Sequence, residues 1–250
     1  MTRYLAPTLL GLAGTALVLA TTASSAPLLP AAVTDLDGVA VTPTTSLHAR
    51  VLPRAARRQA TTVACWDWND SVSQPPAFAP AASGGVAFQW SLPDATWEGA
   101  VGSALGQWNT ALPGDQYLSV AGTVPAMSRP SKFADGTNYI GMAKLGGRTL
   151  AVTYTWTSRQ TGRIIENDVF FSADVSWDVR PFRADQLCPD GRAYDIEAIG
   201  VHEFGHVLGF DHISGVEEAT MYPTAPAGET RKRTLTAGEA AAGAARDVGP

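Results

Sequence analysis

Cysteine, histidine and lysine are all scarce in this chain of 250 residues, which holds two, four and three of them respectively. Two cysteines, Cys65 and Cys188, allow at most one disulfide, and neither lies near the N-terminal apolar run where a lipid anchor would need one. Charged residues make up only 16% of the chain, and the net charge is −5. The first 60 residues hold five arginines against two acids, Asp35 and Asp37, so the remainder carries 13 basic and 21 acidic groups, a net of −8. Such a body has no electrostatic footprint for nucleic acid or an anionic membrane. Internal repeats and appended modules are absent from the sequence.

Long apolar runs are missing as well. The one candidate, residues 5–20, is interrupted by Thr and Gly and falls short of the roughly 20 strongly apolar residues that a membrane span requires. With Arg3 ahead of it and small residues 21–26 behind, it has the layout of a secretory signal peptide. The expectation is a secreted, extracellular protein with no stable membrane insertion after residues 1–26 are removed. Residues 27–62 are rich in Ala, Pro, Thr and Val, lack sustained periodicity, and end in a basic cluster from Arg50 to Arg58. They read as a pro-segment or flexible linker, with Arg57-Arg58 as a candidate processing site and His48 as a solvated histidine. Residues 63–250, with an apolar fraction typical of globular chains, are enough for one well-buried core.

Within that body one stretch demands a specific chemistry. His202 and His206 stand four apart, so on a helix their imidazoles share one face about a turn apart. Gly209 comes where the helix must stop and can take the left-handed backbone that turns the chain and returns His212 to the same point. Three neutral imidazoles suit zinc, and three protein ligands leave the fourth tetrahedral position for water, the arrangement of a catalytic site. Glu203, beside the first ligand, can take that water's proton. With only four histidines available, this pattern has a chance probability on the order of one in 10⁵.

Around the motif the periodicities are those of an α+β fold. A helix is predicted from Asp94 onward, with Trp97, Val101, Leu105, Trp108 and Leu112 tracing one apolar stripe. Strands are predicted at residues 86–90, 118–121, 138–142, 150–156 and 163–171, giving a mixed sheet of about five strands. Asp195 is a predicted N-cap for the motif helix, and Thr236 to Glu239 has capping-box spacing for a closing helix.

The stretch His202-Glu203-Phe204-Gly205-His206-Val207-Leu208-Gly209-Phe210-Asp211-His212, followed by Ala219-Thr220-Met221-Tyr222-Pro223, resembles the metzincin zinc endopeptidases and, among them, the matrixins, relatives of the matrix metalloproteinases. The resemblance covers roughly residues 86–246. It implies a twisted mixed sheet with two long helices in the upper part of the domain, and a methionine turn and C-terminal helix in the lower part. It also implies one catalytic zinc on His202, His206 and His212, Glu203 as general base and acid, and Met221 as an apolar floor under the metal. Leu150, Ala151 and Val152 would form the edge strand onto which an extended protein or peptide substrate adds. Tyr222 and Pro223 would wall the pocket for the residue after the scissile bond, and Ala198 would sit at that pocket's base. Where matrix metalloproteinases place histidines for a second, structural zinc, this sequence has Val152 and Phe170. Asp168 and Asp174 leave calcium open as a further cation.

After export, Cys65 and Cys188 would most simply pair, closing a loop that contributes roughly 4 to 5 kcal/mol in the chain-entropy model. A matrixin zymogen can instead use a pro-segment cysteine as a fourth zinc ligand, although residues 63–67 do not resemble the family's switch motif, and two free thiols are a third option. The expected molecule is a monomer, and the excess of Arg over Lys, 15 to 3, points to a GC-rich bacterial source. Two other functions compete with the peptidase reading: a catalytically idle binding module that keeps zinc, and a zinc hydrolase of a cell-wall linkage.

Overall fold

The structure is a computed structural model that describes residues 34–55, 85–114, 117–129, 131–180 and 192–246. Residues 1–26, together with Cys65 and Cys188 and hence their proposed disulfide, lie outside these. All five predicted strands are present: β3 (Val86–Ser91), β4 (Leu118–Thr123), β5 (Asn138–Ala143), β6 (Thr149–Ser158) and β7 (Ile164–Ser172). Two more precede them in the chain, β1 (Leu36–Ala40) and β2 (Thr45–Pro53). The flexible-linker reading of residues 27–62 is therefore corrected for 36–53. The reason is an alternation: Leu47, Ala49 and Val51 are buried on one face of β2 and join an apolar cluster with Tyr139, Val152, Tyr154, Trp156 and Phe170. His48, expected in solvent, is half-buried, its Nδ1 accepting from the Gly38 amide at 3.1 Å and its Nε2 lying 3.1 Å from Thr157 Oγ1.

The seven strands form one sheet in the order β1-β2-β6-β7-β5-β3-β4. β3 runs parallel to β4 and β5, β5 runs parallel to β7, and β6 is antiparallel to both β7 and β2. This mixture follows from the connections: a tight turn joins β6 to β7, whereas a whole helix returns the chain from β3 to a parallel neighbour. β6 is buried along almost its entire length, as a central strand covered on both faces must be.

Two helices pack on one face. α1 (Ala95–Asn109) starts at Asp94, whose carboxylate accepts from the Thr96 and Trp97 amides, and it buries Val101, Leu105 and Trp108 along the predicted stripe. α2 (Ile196–Val207) starts at Asp195, which accepts from Ala198 N at 2.8 Å. The helices approach closely at Gly200, where a Cβ would lie 2.9 Å from that of Ala104. There Trp108 Nε1 donates to Val201 O at 2.7 Å, so the indole satisfies its own polar atom while fixing α1 to α2. A two-residue parallel pair, β8 (Trp177–Asp178) with β9 (Tyr194–Asp195), brings the chain into α2. The last helix, α3 (Ala237–Ala244), carries the predicted capping box between Thr236 and Glu239. Among the described residues, no helix is long and apolar enough to cross a membrane.

Candidate metal centre

α2 is buried from Ala198 to Val207, so its side chains are held on every side before any ligand arrives. His202 and His206 project from one face of it. After Leu208 the chain turns at Gly209, whose φ is +82°, a conformation that a side chain would strain. The turn brings His212 back. His206 Nε2 lies 3.2 Å from His202 Nε2 and 3.2 Å from His212 Nε2. Tetrahedral ligands at the usual zinc–nitrogen length stand about 3.4 Å apart, which these two separations approach, and the three ligand atoms all lie within 4.8 Å of one another, so they could hold one metal ion. Among the described residues they are the one group of three or more His, Cys, Asp or Glu side chains that converge in this way. Asp168 and Asp174, put forward for calcium, belong to no such group.

The opposite ring nitrogens are held by backbone. His202 Nδ1 donates to Thr220 O and His206 Nδ1 to Phe210 O, each at 2.7 Å. A carbonyl can only accept, so both rings are fixed in the tautomer that leaves Nε2 with a free lone pair. Burial holds His202 and His206 well below the usual histidine range, and it lowers His212 as well. Neutral imidazoles are what a metal requires.

Glu203 is fully buried beside them. Its Oε2 accepts from Thr153 Oγ1 at 2.6 Å, whereas among the described residues its Oε1 has no hydrogen-bond partner. Burial raises its carboxyl to about 8, and the Thr153 hydrogen bond opposes that rise. Thr153 carried no signal in the sequence, because a threonine in a strand is ordinary and its partner lies 50 positions away.

Beneath the helix is the segment that contains Met221. The side chain is fully buried, and it presses against Gly205. Its backbone amide donates to Glu239 Oε1 at 2.9 Å, and Lys232, also fully buried, donates from Nζ to Ala219 O at 3.0 Å. These two charged residues hold the Met221 turn by its backbone, a role their sequence positions did not reveal.

The sequence profile of the matrixin family matches residues 88–242, more than half of the chain. The chain belongs to the matrixin family. It is also similar to Metalloendoproteinase 2-MMP of Arabidopsis thaliana, with 45% identity over 64 residues. That stretch covers 26% of this chain and only 16% of the plant protein. Matrixins are zinc endopeptidases, and membership supports that general class of activity here.

The matrixin frame also exposes a departure. Leu150, Ala151 and Val152 were expected on an open edge, but β6 is an interior strand, paired with β7 on one side and with β2 on the other. The extra strand exists because residues 45–53 supply the alternating apolar face that the sheet can bury. Val152 and Phe170 face each other across β6 and β7, fully buried in the apolar cluster under β2. Ala198 is buried in the first turn of α2, and Tyr222 and Pro223 are half-buried.

Proposed function

We propose that this matrixin is a secreted zinc endopeptidase in which His202, His206 and His212 hold the metal and Glu203 handles the proton. The observation that carries the reading is the convergence of three Nε2 atoms next to a carboxylate whose second oxygen is already engaged by Thr153. When bound, zinc acts as a Lewis acid on the scissile carbonyl and on the attacking water. Oε1 of Glu203 accepts the water's proton while Thr153 keeps Oε2 from rotating into its place. The same carboxyl then passes the proton to the departing amine, so one residue serves as base and acid in turn. The apolar back of α2 and the Met221 floor hold the imidazoles in fixed rotamers throughout.

The test compares zinc-loaded wild type with Glu203→Ala on casein and on a quenched peptide library, with and without a chelator. Cleavage that needs both the metal and Glu203 supports the proposal, and equal cleavage by Glu203→Ala overturns it. Complete burial of Glu203 favours a second reading, an idle module that keeps zinc for stability. That reading requires tight zinc binding with no cleavage even when the site has been uncovered.

A further inference from the structure

We propose that Arg246 is a positioning residue for the metal centre: its guanidinium clasps the turn between the second and third zinc-binding histidines and, through Phe210, fixes the ring of His206. The inference rests on the zinc-peptidase reading above and adds to it a residue far outside the histidine motif on which the geometry of the site depends.

The turn from Val207 to Asp211 sets where His212 stands relative to His206. It is irregular, with Gly209 at φ +82°, and its own backbone bonds are few: Gly209 N donates to His206 O at 2.8 Å and Phe210 N donates to Gly205 O at 3.0 Å. Leu208 is the C-cap of α2, so its carbonyl belongs to the helix end whose oxygens find no donor within the helix. Phe210 carries the link to the metal, because its carbonyl accepts from His206 Nδ1 at 2.7 Å. A shift of the backbone at Phe210 therefore turns that imidazole and re-aims its Nε2.

Arg246 lies two residues past α3, and its amide donates to Gly243 O at 3.0 Å. From there its half-buried side chain reaches back to the turn. Nη2 donates to Leu208 O, 38 positions earlier in the chain, and Cζ sits over the Phe210 ring, 4.4 Å from its centroid. A cation thus closes the negative end of α2 and rests on the ring of the residue that holds His206. That ring is also stacked on Trp108, with centroids 5.3 Å apart and planes at 22°, and Trp108 is pinned to α2 by its bond to Val201 O. Trp108 therefore ties Phe210 to α2, and Arg246 ties it to the end of α3. The two groups that Arg246 grips lie on either side of Gly209, so releasing them frees the turn where its backbone is softest. A guanidinium offers a flat face and in-plane donors together, which suits a ring and a carbonyl at once, whereas a lysine ammonium is a point charge.

The experiment uses the full zinc-loaded chain. Arg246→Met keeps the apolar stem and removes the guanidinium, and Arg246→Lys keeps the charge without the flat face. Losing a group that orients a metal-binding histidine costs about 10- to 100-fold in metal affinity. Arg246 acts one residue further out, so in competition with a chelator Arg246→Met should bind zinc about tenfold more weakly than wild type, and Arg246→Lys about threefold. Nuclear magnetic resonance then follows the two imidazole N–H protons. The Nδ1 proton of His206 should exchange with solvent about tenfold faster in Arg246→Met, while that of His202, held by Thr220 O, keeps its wild-type rate. A residue that merely stabilised the fold would quicken both protons together. If Arg246→Met does not fold, Arg246→Lys carries the test on the same two protons. Wild-type zinc affinity in the variants, or exchange quickened equally at His202 and His206, overturns the inference. The expected changes in a protein that cleaves no peptide leave the role of Arg246 standing and remove the peptidase reading instead.

Discussion

Gly205 and Met221 share a space that holds only one side chain. A Cβ at 205 would fall inside the envelope of the Met221 sulfur, 2.9 Å from its methyl carbon and 3.0 Å from Cζ2 of Trp108. The glycine inside the metal motif is thus explained by packing, because it lets the thioether rise against α2 between the first two histidines and the core. Gly205→Ala should destabilise the fold by about 1–3 kcal/mol, the usual penalty for overpacking. Adding Met221→Ala should recover part of that loss, since the clash and its partner are then removed together. Urea unfolding of the two single variants and the double variant measures the coupling, and additive losses would show that the contact is not the cause.

Two substitutions in α2 separate metal holding from proton transfer. Glu203→Ala removes no metal ligand, so it should keep one zinc per chain by elemental analysis while turnover falls by about 10²–10⁴-fold, the span associated with a general base. His206→Ala should lose the zinc itself, along with the hydrogen bond to Phe210 O. A Glu203→Ala protein without zinc would mean that the carboxylate acts as a ligand.

The site and the added hairpin were unequally legible in the sequence. His202, His206 and Gly209 were readable because helical spacing and a glycine turn are local properties, and β3 to β7 because their apolar runs are dense. β2 was missed because its buried face includes Ala49, a weak hydrophobe, and its other face carries His48 and Arg50, which look like solvent residues. Arg50 is buried because of Asp211, 161 positions away, and no local rule links the two. The open edge predicted for β6 failed for the same reason: whether a strand ends a sheet depends on every other segment that could join it. Thr153, Lys232 and Glu239 are polar residues whose partners only the fold supplies.

Thr153 should act on rate and not on affinity. Thr153→Val keeps the shape of the side chain but removes the hydroxyl that donates to Glu203 Oε2. A hydrogen bond to a charged group contributes roughly 1.5–3 kcal/mol, which corresponds to a loss in kcat of about 10- to 100-fold with KM little changed. Because that bond holds the Glu203 carboxyl down, removing it should shift the acid limb of the pH profile to higher pH. Thr153→Ser should restore both quantities. A Val variant with unaltered kcat and pH profile would leave Thr153 with a packing role alone.

Stability without metal should respond to pH through two groups of opposite sign. Buried His202 and His206 are held well below 6.5, so the unfolded chain binds more protons than the folded one. Their contribution is present above pH 6.5 and is lost as the pH falls below it. Glu166 and Asp168 behave in reverse. Burial raises Glu166 to about 7, against the pull of the Gly136 amide, and burial with the neighbouring Glu166 and Asp135 charges raises Asp168 well above its usual range. Here the folded chain binds more protons, so the contribution is complete below about pH 4 and declines as the pH rises towards 7. Glu166→Gln keeps an acceptor for the Gly136 amide but carries no charge. It should therefore stabilise the metal-free protein at pH 8 by on the order of 1–3 kcal/mol and have little effect at pH 4. Denaturant unfolding at the two pH values checks this, and equal effects at both would mean that Glu166 titrates as an ordinary carboxylate.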